Sequence, residues 1–392
     1  MKHQVNDLAM FGGSSVFAQP LFVGRPSVGD RSRFFERLSQ VLDRQWLTNN
    51  GPLVREFEGR IAEVAGVEHC VAVCNATAAL QLLHRALGVR GEIIMPSMTY
   101  VATAHSARMA GLTPVFCDVD PLTGCLDPAA VESALSERTS AVLGVHLWGQ
   151  PCAVEDLTKV ADRHRLTLTF DAAHALGCTE QGRPIGGFGE AEVFSFHATK
   201  VVNSFEGGAV VTGNAALADE LRALRAFGAA DGAIRSVGTN AKLSEAGAAM
   251  GLTSLEAFPA TVRHNRANLK AYRTELDALP GVRVLPFDES ASANCQYAVA
   301  LIDAEVTGVH RDLLVRALAA ENVIAQKYFS PACHQLEPYA GAVRLPNTER
   351  LAEQVIALPT GPATSVEQVR LVGELLRYLV SHGPELSARV GR

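Results

Sequence analysis

The run HCVAVCNATAALQLLHRALG, residues 69–88, decides the fold. Its first six residues, His69 to Cys74, are apolar and β-prone, which predicts a short buried strand. From Ala76 the period changes. Leu80, Leu83 and Leu87 fall on one helical face, and Gly88 stops the helix. A strand running straight into a helix is the unit of a parallel sheet covered by helices. The unit recurs: residues 92–95, 112–119, 141–147 and 166–170 read as further strands with helical segments between them. The fold class is therefore α/β, a large domain around a mostly parallel central sheet.

Outward from this block the pattern differs. Residues 1–20 read as a poorly ordered arm. Residues 34–46 and 54–65 are helical, separated by the turn-rich TNNGP at 48–52. Beyond Val211, residues 217–226 are helical and 228–239 form a glycine-rich loop. An Ala/Gly-rich helix, 243–258, continues past a kink near Pro259 into 264–279. Its small residues suit close approach by a neighbouring helix or a second subunit. Strands at 282–286 and 296–302 and helices at 311–320 and 366–380 make a smaller α+β domain. The expected division is a large domain at 1–254, with its N-terminal arm, and a small C-terminal domain at 255–392.

The chain has 392 residues, 48% hydrophobic and 19% charged, with a net charge of -6. That composition supports large cores and excludes disorder. No basic block is present, so nucleic acid and anionic membrane are not expected partners. No stretch of about eighteen apolar residues marks a membrane span. The first seventeen residues lack the basic-then-apolar pattern of a signal peptide. Eight cysteines are scattered without a C-x-x-C pair, so no metal site is expected and a reducing, cytoplasmic setting fits.

Chemistry concentrates in two segments. Phe170-Asp-Ala-Ala-His174 puts a carboxylate, Asp171, at the end of a strand. Ser195-Phe-His-Ala-Thr-Lys200 ends a second strand with a lysine, before Phe205-Glu-Gly-Gly-Ala-Val-Val-Thr212 turns back as another strand. An isolated lysine at such an edge is usually solvated. A lysine paired with an aspartate that can hold a pyridinium N–H is instead the minimal kit for pyridoxal phosphate. Other parts favour that second reading. The Cys74-Asn-Ala-Thr junction, with Asn75 and Thr77, offers free N–H groups to an anion, although an ordinary N-cap explains it as well. Tyr100, after the strand that ends in Pro96, suits stacking on a flat ring or plain packing. His174 is placed to meet a ring oxygen or to serve as a satisfied structural histidine.

Taken in order, these segments resemble the DegT/StrS sugar aminotransferases, pyridoxal phosphate enzymes of fold type I that act on nucleotide-linked keto-sugars. The resemblance rests on WLTNNGPLVREFE (46–58), VCNATAAL (73–80), PSMTYVATAHSARMAGLTPVFCDVD (96–120), VHLWGQP (145–151), FDAAHALG (170–177), FSFHATK (194–200), FEGGAVVT (205–212), GTNAKLSEAGAAMGL (238–252) and KYFSPACH (327–334). It implies that Lys200 carries the cofactor and Asp171 pairs with its ring nitrogen. Tyr100 would stack on the ring, and His174 would lie by its phenolic oxygen. Ala76, Thr77 and Ser195 would bind its phosphate, and Asn240 would reach that phosphate from the second subunit of a homodimer with shared sites.

Two positions depart from the family pattern: Lys242 stands where arginine is usual, and Gln326 where related enzymes carry a basic residue. The FHATK and FEGG forms resemble members that aminate C-4 of a 4-keto-6-deoxy sugar nucleotide, with thymidine diphosphate as the expected carrier. Members acting at C-3 more often show a Tyr-Pro pair before the lysine, and C-3 amination is the alternative. L-Glutamate is the expected donor, with the pyridoxamine phosphate form in the second half-reaction and Lys200 moving the proton. Lys327, Tyr328 and His334 are candidate substrate contacts, against a reading of Tyr328 as core and His334 as a turn residue. Two rivals share the scaffold. A sugar dehydratase would carry histidine in place of Lys200. A non-catalytic sugar-binding or regulatory protein would not need Lys200, Asp171 and the phosphate loop together.

Overall fold

In the seven-stranded sheet, side chains along each strand divide between two cores with a period of two. Val71 and Val73, Ile93 and Met95, Leu143, Val193 and Val210 pack into one core. Their neighbours Ala72, Ile94, Val142, Phe194, Ala209 and Val211 pack into the other. Burial on both faces is what a helix-covered parallel sheet requires. The structure is a computed structural model that describes residues 2–285, 287 and 292–390.

The strand order is His69–Val73, Gly208–Thr212, Ala191–Ser195, Thr167–Asp171, Thr139–Val145, Glu92–Pro96, Thr113–Cys117. Gly208–Thr212 runs antiparallel to both its neighbours, and the remaining pairs are parallel. The register aligns Val73, Gly208 and Ser195 in one row. Asp171 pairs with Val193, two residues short of Ser195. The C-terminal ends of the parallel strands thus gather at one edge, where α/β sheets bind ligands.

A single helix, Glu245–Leu276, runs on from the large-domain core. Ser244 caps it by accepting from the Gly247 N–H at 3.0 Å. Its small residues are used within the chain: a Cβ on Gly251 would meet the Phe57 ring at 2.7 Å, so glycine lets the Pro52–Ala65 helix settle against it. The expected kink at Pro259 does not split the helix. Pro259 lies on the exposed side, where a missing backbone bond costs least. The helix crosses position 255 without interruption.

Beyond it, Val282–Val284, Ala298–Ile302 and Val355–Leu358 form an antiparallel three-stranded sheet. Pro286, the end of the expected strand 282–286, lies outside the described residues. Arg311–Ala320 and Val366–Ser381 are helical, and the second starts with a Ser365/Gln368 capping box.

The N-terminal arm departs from expectation. Val5, Leu8, Phe17 and Leu21 are buried in the same core as Leu314, Leu318, Leu375 and Leu379. The organising group is Glu321, fully buried, which accepts from Ala9 N at 2.7 Å and Val16 N at 2.8 Å and pairs with Lys2 at 3.0 Å. Its sequence partners lie more than 300 residues away, so no local pattern announces this docking.

Candidate active site

Asp171 closes the strand Thr167–Asp171 and is 6% exposed. Ala172 and Ala173 leave its carboxylate uncrowded, and the Ala173 N–H donates to Oδ1 at 3.1 Å. Thr103, on the first turn of Val101–Met109, donates through Oγ1 to Oδ2 at 2.8 Å, and Thr99 lies 2.8 Å behind it. Burial pushes the Asp171 carboxyl up. The Ala173 and Thr103 donors, Lys200 and His146 oppose that shift and favour the anion.

Lys200 lies in the connection between Ala191–Ser195 and the antiparallel Gly208–Thr212, one turn past the fully buried Phe196. Its backbone N–H donates to His197 O at 2.8 Å. Its Nζ donates to the Tyr297 hydroxyl at 3.3 Å. Burial pulls the amine down to about 8, with Asp171 and Tyr100 pulling the other way. A lowered pKa raises the share of neutral, nucleophilic amine.

His174 is buried, and burial, then Lys200, hold its pKa well below the ordinary value. Its Nδ1 accepts from the Trp148 N–H at 3.1 Å, so the neutral ring carries its proton on Nε2 and can donate there. The ring tilts against Tyr297 at 4.7 Å and stacks at 14° to Phe329. Tyr100 precedes Val101–Met109, is 60% exposed, and lies 5.9 Å from Phe329.

A group of open backbone donors stands at the start of Ala76–Ala86. Asn75 caps Ala76–Ala86 by accepting from Ala78 N at 2.8 Å, which leaves the Ala76 and Thr77 N–H groups of the first turn without helical acceptors. Gly208 permits this approach. A Cβ there would sit 2.5 Å from Ala76 N and 2.7 Å from Asn75 C. Ser195 pairs with Gly208 in register, which puts it in the row of strand residues that includes Gly208, the glycine packed on the helix start.

The other expected residues lie further out. Asn240 is exposed and bridges to Ala226, and the next residue, Ala241, accepts from the Cys74 N–H at 2.8 Å. Lys327 pairs with Asp312 at 3.3 Å. Tyr328 stacks on Phe329 and meets Tyr297 edge-on. Lys327, Tyr328 and Phe329 line a cleft of about 400 Å³ together with Tyr100 and Gln326. His334 faces away from that cleft. It is buried, with Nδ1 2.7 Å from Ser97 Oγ and Nε2 3.5 Å from Glu349.

Sequence reasoning missed Thr103 and Tyr297. Thr103 stands three residues after Tyr100, the spacing that puts two residues on one helical face. Tyr297 is 97 residues from Lys200, with no local signal of their contact. Among the described residues no group of three His, Cys, Asp or Glu side chains is placed to hold a metal ion. No described helix is long and apolar enough to cross a membrane.

Residues 29–377 match the DegT/DnrJ/EryC1/StrS aminotransferase family, and the chain belongs to it. It is 33% identical over 367 residues to the dTDP-4-amino-4,6-dideoxy-D-glucose transaminase of Shigella dysenteriae, covering 93% of this chain and 98% of that one. The Escherichia coli protein of the same name is 33% identical over 365 residues, covering 90% and 97%. The solved structure of DesI in the presence of its TDP-sugar product superposes with a TM-score of 0.97 at 58% identity, covering 99% and 100%. Helicobacter pylori PseC, an aminotransferase involved in the biosynthesis of pseudoaminic acid, gives 0.86 at 28%, covering 92% and 99%. The chain is thus a sugar aminotransferase on the fold of the pyridoxal phosphate-dependent transferases, as the resemblance implied.

Proposed function

We propose that the pocket holds pyridoxal phosphate on Lys200 and that the chain moves an amino group from L-glutamate to C-4 of a dTDP-linked 4-keto-6-deoxyhexose. The observation that carries this reading is the Lys200 amine, drawn down to about 8 by burial and within electrostatic reach of the buried Asp171 carboxylate. The donor set fits the cofactor. Asp171, whose anionic form the Thr103 and Ala173 donors favour, would hold the ring nitrogen, and His174 Nε2–H would donate to the phenolic oxygen. Tyr100 would cover the ring. The Ala76 and Thr77 N–H groups and the Ser195 hydroxyl would take the phosphate.

When bound, pyridoxal phosphate supplies an electron sink for the carbon that loses its proton and, as pyridoxamine phosphate, carries the amino group between half-reactions. The chain supplies the proton handling. Lys200, once free, takes the α-proton of the amino donor and returns it across the pocket, and its position near neutrality suits both directions. Asp171 would hold the ring nitrogen of the bound cofactor in its protonated form, which is the charge its electron-sink chemistry needs.

Lys327 and Tyr328 face the cleft beside Tyr100 and are the proposed sugar-nucleotide contacts. His334 is given a supporting part in that loop, since Ser97 occupies its Nδ1 and Glu349 lies 3.5 Å from its Nε2. The choice of C-4 and thymidine is supported by the names of the Shigella and Escherichia relatives and by the TDP-sugar product in whose presence DesI was solved.

A homodimer with Asn240 crossing to the other site is part of the proposal. Its support is an exposed apolar strip, Phe35, Leu42, Trp46 and Leu47, on and after Arg31–Arg44. The small residues Gly247 and Gly251 of Glu245–Leu276 lend no support, because Leu243 and Phe57 of the same chain already pack against them. We place the boundary between the domains at residues 254 and 255, within the long helix. The eight unpaired cysteines support a reducing, cytoplasmic setting.

The test is incubation of the cofactor-loaded protein with L-glutamate and a panel of dTDP- and GDP-linked 4-keto and 3-keto sugars, with products assigned by NMR. A 4-amino-4,6-dideoxy product from the dTDP-4-keto sugar is expected. Amination at C-3 overturns the regiochemistry, preference for the GDP sugar overturns the carrier, and failure with every keto-sugar overturns the reading.

A further inference from the structure

The segment between Asn294 and Tyr297 ties the two halves of the pocket together. The Asn294 Nδ2 group donates to His174 O at 2.9 Å and Leu176 O at 3.1 Å, and its Oδ1 accepts from Gln296 N at 3.0 Å. Gln296 then grips the lysine loop: its Oε1 accepts from Val201 N at 3.1 Å and its Nε2 donates to Thr199 O at 3.4 Å. Tyr297 completes the strut. It is 5% exposed, its ring lies against His174 and Tyr328, and its hydroxyl accepts from Lys200 Nζ. One four-residue stretch therefore fixes the backbone after Asp171, the backbone on both sides of Lys200, and the tip of the lysine itself.

We infer that Tyr297 is a positioning residue for the transamination, its hydroxyl receiving the Lys200 amine whenever that amine is free and holding it beside Asp171 and His174. A lysine has four rotatable side-chain bonds and loses much conformational freedom when fixed. A buried hydroxyl at the end of its reach confines it without adding a charge. Burial pushes the Tyr297 phenol far up, so it accepts as a neutral group. The ionisable groups facing Lys200 are Asp171 at the strand end, His174 after it, Tyr100 from the helix start, and Tyr297 itself. Of these, Tyr297 is the one hydrogen-bonded to the amine. Because Lys200 is the donor, the bond favours the ammonium, and its loss lowers the lysine's pKa.

This inference rests on Lys200 being the cofactor lysine, so the test separates the two. In cofactor-free protein, Lys200 is acetylated with acetic anhydride across a pH series and the modified peptide is followed by mass spectrometry. Tyr297→Phe is expected to lower the Lys200 midpoint by about half to one pH unit. In the loaded enzyme it should lower kcat about tenfold with the KM for L-glutamate within about twofold. Phenylalanine keeps the ring against His174 and Tyr328, so a residue that only fills space would leave both readings at the parental values. That result overturns the inference.

Gln296→Met keeps the hydroxyl but frees residues 199–201 from the strut. It is expected to move the midpoint in the same direction, and it decides the matter should the phenylalanine variant not fold. If Lys200→Ala retains covalently attached cofactor, the reading of Lys200 fails. If Lys200→Ala loses it while Tyr297→Phe matches the parent, only the present inference fails.

Discussion

Thr103 Oγ1 donates to Asp171 Oδ2 at 2.8 Å, joining the first turn of Val101–Met109 to the end of Thr167–Asp171. The bond matters because burial works against the Asp171 anion, and Thr103 is one of two hydrogen-bond donors that oppose it. Thr103→Val keeps the shape and removes the donor. Turnover in the glutamate half-reaction should fall about tenfold, equivalent to about 1.4 kcal/mol, with cofactor still bound. Asp171→Asn should cost on the order of several kcal/mol in the barrier, because a neutral amide cannot hold a pyridinium charge. Stopped-flow absorbance of the loaded enzyme measures both. A threonine variant at the parental rate would show that Asp171 needs no such support.

The lowered Lys200 pKa carries a stability signature in cofactor-free protein. The folded amine titrates at about 8, whereas an unfolded lysine titrates at about 10.4. Below pH 8 both states hold the proton and the effect is flat. Between the two values the unfolded state binds more protons, so stability rises with pH. Lys200→Met removes this rise and should be the more stable protein at pH 7, since it buries no charge there. Urea unfolding of both proteins from pH 7 to pH 10 should show the gap closing as pH climbs. A gap independent of pH would mean that the folded amine is not depressed.

The sheet was legible because its strands are buried on both faces and alternate between two cores, which yields short apolar runs that any register preserves. Asp171 and Lys200 were legible for a related reason: each is a charged residue at or just past the end of such a run, and strand ends are where α/β sheets place their ligands. What could not be read is held together across the sequence. Glu321 gathers the N-terminal arm through backbone donors more than 300 residues away. Tyr297 reaches Lys200 from the residue just before Ala298–Ile302, and its own neighbourhood reads from the sequence as plain strand. His334 reads from the sequence as a candidate substrate contact because it shares a loop with Lys327 and Tyr328. Ser97 and Glu349, at distant positions, turn it inward.

Gly208 offers a test of the anion cradle that leaves every polar group in place. A Cβ at this position would lie 2.5 Å from Ala76 N and 2.8 Å from Ala76 Cα, both backbone atoms that cannot swing aside. Gly208→Ala should therefore displace the helix start from Ser195 and weaken cofactor binding by about tenfold or more, on the scale of losing one charge-assisted hydrogen bond. Fluorescence titration of the cofactor-free variant with pyridoxal phosphate and with inorganic phosphate gives the two affinities. Both should drop together. Unchanged phosphate affinity would move the anion site away from this junction.

The proposed shared site predicts complementation between two dead proteins. Lys200→Ala removes the cofactor lysine, and Asn240→Ala removes the exposed amide that is proposed to cross to the other phosphate site. In a hybrid dimer one site carries both lesions, while the other combines Lys200 from one chain with Asn240 from its partner and is intact. Random exchange of equal amounts makes half the dimers hybrid, so activity should return to about a quarter of the parental value for a symmetric dimer. Exchange must be verified by native mass spectrometry. Asn240→Ala must first be shown to depress activity on its own, since the structure shows Asn240 exposed at the surface of the single chain. Complete exchange without recovery would leave each chain with its own closed site, and the strip of Phe35, Leu42, Trp46 and Leu47 would then need another partner.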